Sequence, residues 1–194
     1  MKATPDQDSL ATWMHRIDSV GPGSLLVAIE SRLGSGISRH VSPEDILQEA
    51  LLSLCRTADR LEWKGHAAFR SWLLTVIDHR IADAARMNKP GTVTHSDSHA
   101  PPCFLDAVRQ STTPSRIAAY HEEAGAIRAA LSGLPDELRG IVRARIIEQR
   151  TLAEIAASEG LTIGVVRHRF RTGAELYAIR LRRELAWSDG AGTR

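Results

Sequence analysis

Prolines at 90, 101, 102 and 114, with Gly91 and a run of serines, threonines and histidines, interrupt the chain between residues 89 and 115. Proline fixes φ and lacks a backbone N–H, so neither a helix nor a sheet ladder runs through such a stretch. Folded structure must form on either side of it, and the stretch reads as a flexible linker. The chain divides accordingly into an N-terminal extension (1–21), a patterned block (22–88), the linker (89–115), a second patterned block (116–187) and a tail (188–194). The first 21 residues are polar and weakly patterned, and no internal repeat is evident.

Both blocks carry the period of a helix rather than that of a strand. Ser42 suits an N-cap, Pro43 the first helical position, and Glu44 and Asp45 the positive end of the helix dipole. Ile46, Leu47, Ala50, Leu51, Leu54 and Cys55 then recur on one stripe, leaving Asp45, Gln48, Glu49 and Arg56 on the opposite face. A loop with Trp63, Lys64 and Gly65 precedes a helix expected over about 67–86. Its inner side takes Phe69, Trp72, Leu73, Val76, Ile77, Ile81 and Ala84, with Arg70, His79, Arg80 and Arg86 largely elsewhere. Hydrophobic residues make up 43% and aromatics only 5%, which suits cores of Leu, Ile, Val and Ala. The expected class is all-α: two small helical domains joined by a flexible linker.

The sharpest local pattern lies between Thr151 and Phe170. Thr151 and Glu154 make a capping box, after which Leu152, Ile155 and Ala156 point inward. Gly160 permits a left-handed corner, and Thr162 caps a second helix. That helix is expected to bury Ile163, Val166, Phe170, Ala174 and Tyr177 and to expose Gly164, Val165, His168 and Thr172, flanked by Arg167, Arg169 and Arg171. This is a helix-turn-helix pattern, and small residues rimmed by arginines fit a major groove. Net charge is only +2, but six arginines stand against the single acid Glu175 between Thr162 and Arg183.

Other chemistries find little support. His95, His99 and Cys103 are spaced four apart, yet Pro101 and Pro102 break any helix that would align them as zinc ligands. No phosphate loop or nucleophile elbow is present, so no enzyme activity, metal or cofactor is expected. Cys55 and Cys103 make no disulfide framework. The apolar run Leu25–Ile29 is too short for a membrane span or a signal core, which leads to a cytoplasmic reading with no membrane insertion. A regulator with a ligand- or phosphoryl-sensing first half would explain the second block but not the helices of the first.

Taken together, Ser42-Pro-Glu-Asp-Ile-Leu-Gln-Glu49 and the stretch from Phe69 to Asp83 resemble region 2 of the extracytoplasmic-function sigma factors of bacterial RNA polymerase. Leu134-Pro-Asp-Glu-Leu-Arg139, Thr151–Ala156 and Leu161–Phe170 resemble their region 4. The resemblance implies a sigma factor that binds core RNA polymerase and directs promoter-specific initiation. It places Asp45, Gln48 and Glu49 against the clamp helices of the largest polymerase subunit. It puts Trp63, Lys64, His79 and Arg80 near the −10 strand, where an aromatic ring can stack an extruded base. Trp72 matches the family's core tryptophan. Thr162, Val165, Arg167, His168, Arg169 and Arg171 fall on the −35 recognition helix. Two departures stand out. Asp78-His79 replaces the common Arg-Asn, and Val165 stands where Thr is common, exchanging a hydroxyl for a possible contact with a thymine methyl. An anti-sigma protein, common in the family, is a candidate partner.

Overall fold

The computed structural model describes residues 12, 15–33, 39–57, 62–87 and 112–191, apart from the side chains of Cys55, Arg56, Met87 and residues 187–191. Among the described residues the regular backbone is helical, without strand, in agreement with the all-α expectation. The linker between 88 and 111, including His95, His99 and Cys103, lies outside the described residues, as do residues 1–11 and 192–194. Contacts divide the chain into two compact units, Met1–Ala119 and Tyr120–Arg194. That division falls four residues inside the second block expected from the sequence to begin at 116.

In the first unit, helices α1 (Pro22–Arg32), α2 (Pro43–Thr57) and α3 (His66–Met87) pack against one another. Gly21, with φ of 68°, turns the chain into α1, and Pro22 opens the helix. At the start of α2, Ser42 N–H donates to the Asp45 carboxylate at 3.2 Å and Asp45 N–H donates to the Ser42 hydroxyl at 3.1 Å. This reciprocal cap satisfies two groups that the first turn leaves unpaired. Five members of the anticipated stripe, Ile46, Leu47, Ala50, Leu51 and Leu54, are buried, as are Leu25, Leu26, Ile29, Leu73 and Ile77 of the helices packed on α2; the Cys55 side chain lies outside the described ones. Truncating any of the large members would cost roughly 2–5 kcal/mol.

Two features depart from the sequence reading. The N-terminal extension is not merely polar: residues 15–19 are helical, and Ile17 and Val20 are buried. Arg70, expected away from the core, is only 9% exposed, and its Nη1 donates to the Val20 carbonyl and the Ser24 hydroxyl, each at 2.6 Å. A buried guanidinium is tolerable because these acceptors meet it. It also fastens the 15–20 segment to α1 and α3.

The second unit takes in α4 (Pro114–Ser132) from Tyr120 onward, α5 (Asp136–Val142), a π-helical turn (Arg143–Ile147), α6 (Leu152–Glu159) and α7 (Ile163–Ala191). Arg139 closes the end of α4, donating to the carbonyls of Leu131, Ser132 and Leu134 at 3.1, 3.0 and 2.8 Å. It thereby serves carbonyls that lack intrahelical partners. α5 packs along α7 at Gly173, where an added Cβ would lie 2.5 Å from Val142 Cγ2. Gly173 is thus a packing residue, needed for close approach. No helix among the described residues is long and apolar enough to cross a membrane.

Candidate functional site

In the second unit, Thr151 N–H donates to the Glu154 carboxylate at 2.7 Å, and Glu154 N–H returns a bond to the Thr151 hydroxyl at 3.2 Å. Those bonds from the Thr151 backbone and hydroxyl hold the Glu154 carboxyl below its ordinary value. Gly160 ends α6 in the left-handed region at φ 65°, ψ 27°, and Leu161 N–H reaches back to the Ala156 carbonyl at 3.0 Å. The corner is then sealed by a shared core of Ile141, Ala144, Ile155, Ala156 and Val166, with Leu152, Leu161 and Phe170 packed on it. Thr162 caps α7 weakly, its hydroxyl 3.4 Å from Val165 N. Two helices joined by a tight turn over a common core form a helix-turn-helix.

The outward face of α7 carries Gly164, Val165, His168 and Thr172, all exposed, with exposed Arg167 and Arg171 beside them. Thr162 lies at its exposed N-terminal edge. Arg169 sits differently: its side chain is 33% exposed and lies 3.6 Å from the Glu137 carboxylate of α5. Ile163, expected on the buried stripe, is 46% exposed. It is the first residue of the helix, and its Cβ points toward the N-terminus, past the end of the core. Ile163 and Val165 therefore flank Gly164 with apolar surface. A Cβ at Gly164 would meet nothing within 4 Å, so the glycine is not required by packing inside the chain.

In the first unit, Asp45, Gln48 and Glu49 are exposed on one face of α2 while Ile46, Leu47 and Ala50 are buried behind them. Asp45 has a second duty as the capping partner of Ser42. Arg80, expected at a nucleic-acid strand, is part-buried. Its Nη2 and Nε donate to the Ser53 hydroxyl at 2.7 and 3.2 Å, and Ser53 in turn donates to the Glu49 carbonyl at 2.9 Å. The guanidinium braces α3 against the backbone behind Glu49. His79 is exposed, and its neighbour Asp78 lies 2.9 Å from Arg32 Nε.

Trp63 is half-buried in the loop before α3. Its ring meets His66 edge-on at 5.2 Å and Phe69 at 5.5 Å, and Phe69 stacks on Trp72 at 6.2 Å. Trp72 accordingly packs within the domain, as expected. Lys64 is exposed and pairs with Glu62 at 3.2 Å. The Arg16 guanidinium carbon lies 4.5 Å from the Trp63 ring centroid, a residue that the sequence reading left in an unassigned extension. Its only sequence signal was indirect: Ile17 and Val20, three apart, mark a segment that packs. Among the described residues no group of three or more His, Cys, Asp or Glu side chains could hold a metal ion.

Residues 24–90 match the family model for Sigma-70 region 2. No curated protein and no solved structure matches the chain. The matched stretch takes in α1 from Ser24 onward, α2 and α3, with the α2 face and the Trp63 loop. Over about a third of its length the chain is thus similar to region 2 of the sigma-70 factors of transcription initiation.

Proposed function

We propose that the protein is a sigma factor of the extracytoplasmic-function type that docks on core RNA polymerase and directs it to particular promoters. The observation that carries this reading is the pairing of a region 2 domain with a separate helix-turn-helix whose outward helix face carries Gly164, Val165, His168 and Thr172 beside exposed arginines. The first domain, about 22–88, is the module for polymerase and the −10 element; the second, about 116–187, is the module for the −35 element. Residues 89–115 connect them, and a linker of that length lets two weak contacts reinforce each other through effective concentration.

Asp45, Gln48 and Glu49 present an acidic, polar face to the clamp helices of the largest polymerase subunit, where complementary charge steers encounter and fixes register. Arg80, braced on Ser53, supports that face from α3, the helix that also carries His79. Trp63, Lys64 and His79 remain the −10 contacts in this reading. On α7, Arg167 and Arg171 contact phosphate or guanine, and His168 and Thr162 reach base edges. Val165, joined by Ile163, offers apolar contact to thymine methyls. The protein acts in the cytoplasm, where its polymerase resides.

Polymerase docking is tested by co-purification of core polymerase with wild type, Gln48→Ala and Glu49→Lys. Neither position takes part in the Ser42 cap, so the helix survives both changes. Loss of core polymerase from Glu49→Lys, with helicity unchanged, is the expected result. Undiminished retention by both variants would remove α2 from the interface.

A further inference from the structure

The 15–20 segment precedes the matched domain, yet it is built into the first unit. Ile17 and Val20 anchor it in the core, and Arg70 donates to the Val20 carbonyl at 2.6 Å. Ser19 and His66 Nδ1 lie 2.7 Å apart, joining the segment to the first turn of α3 beside the Trp63 loop. Immediately before these fixed points, Arg16 projects onto Trp63, with its guanidinium carbon 4.5 Å from the ring centroid.

A guanidinium is flat, delocalised and stacks on aromatic faces. It therefore shares with the nucleobase that the Trp63 face is proposed to accept a flat surface that stacks on an aromatic ring. Trp63 is already flanked by His66 and Phe69, and Arg16 lies over its ring, so a base arriving to stack on that face would have to take the place that Arg16 holds. We propose that Arg16 is an intrachain occupant of the base-stacking face of Trp63, and that the 15–20 segment lowers the affinity of this factor for the single-stranded −10 element until the arginine is displaced. The inference rests on the reading of Trp63 as a −10 contact. The opening costs a few-fold in apparent affinity, because only the fraction of molecules with an uncovered ring is competent to bind.

The test uses full-length protein assembled with core polymerase. The probe is a fluorescein-labelled non-template-strand oligonucleotide covering the −10 element of a promoter mapped by run-off transcription. Arg16→Ala leaves Ile17 and Val20 in place, and it is expected to bind the probe about three- to tenfold more tightly than wild type. Arg16→Lys, which lacks the planar fork, should fall between them. Trp63→Ala should weaken binding, and adding Arg16→Ala to it should change nothing further. Equal or weaker binding by Arg16→Ala, while Trp63→Ala still weakens it, would overturn the inference alone. Unchanged binding by Trp63→Ala would overturn both the inference and the assignment of Trp63.

Discussion

The Asp78 carboxylate lies 2.9 Å from Arg32 Nε, joining α3 to the last turn of α1. Asp78 is half exposed, so the pair contributes at most about 1 kcal/mol to stability. Under the proposed placement of His79 at the −10 strand its consequence is electrostatic: Arg32 offsets an acid that would repel phosphate there. Arg32→Ala should leave the melting temperature nearly unchanged yet weaken promoter binding by polymerase carrying this factor. Asp78→Asn in the same chain should restore it. Additive losses from the two changes, measured in a double-mutant cycle, would show that the pair does not shield the strand.

Gly173 permits contact between α5 and α7. An added Cβ would meet Val142 Cγ2 at 2.5 Å and Leu138 Cβ at 3.3 Å. Gly173→Ala gains helix propensity but overpacks the core, and the overpacking prevails, with a net loss of about 1–3 kcal/mol in urea denaturation. Val142→Ala should recover part of that loss. A stabilised Gly173→Ala protein would mean that the helices separate at no cost.

Glu154 is held below its ordinary value by the Thr151 N–H and hydroxyl. A carboxyl whose folded pKa is lowered contributes stability that is present above its unfolded pKa and is lost as pH falls through the folded one. Wild type should therefore melt higher than Glu154→Gln at neutral pH, and the gap should close as pH drops below about 4.3, the usual glutamate value. Thr151→Ala should flatten the same pH dependence. A gap that persists at low pH would assign the stabilisation to something other than the ionised cap.

On α7, Arg167 and Arg171 are exposed, whereas Arg169 leans on Glu137 at 3.6 Å. Arg167→Ala with Arg171→Ala should reduce the salt dependence of −35 binding by a slope of roughly 1–2, as expected for two lost phosphate contacts. Arg169→Ala should reduce it less. Titration of duplex binding between low and moderate salt decides the matter, and an unchanged slope for the double variant would place phosphate contact elsewhere.

Features written in neighbouring residues were legible in the sequence. The Thr151–Glu154 box, the Gly160 corner, the Ser42 cap and the α2 stripe each depend on spacing within about one or two helical turns. Features made by distant partners were not. Arg70 is buried because Val20 and Ser24, far away in sequence, supply acceptors. Arg80 gains a bracing role because Ser53, on the neighbouring α2, offers it an acceptor. Ile163 obeys the helical period but stands where the helix has no preceding turn to cover it. The π-helical turn and Gln149, a non-glycine residue at φ 57°, follow from how α5 must end before α6, which no local signal announced. The candidate site was thus visible as a set of exposed residues, while the supports behind it came only from packing.

Run-off transcription from genomic promoter fragments, with bacterial core polymerase alone and with the protein added, tests promoter direction most directly. Discrete starts that appear only with the protein, and that vanish with Glu49→Lys, are expected. No added initiation, combined with tight sequence-specific duplex binding by the protein alone, would contradict the sigma-factor mechanism and favour an ordinary helix-turn-helix regulator.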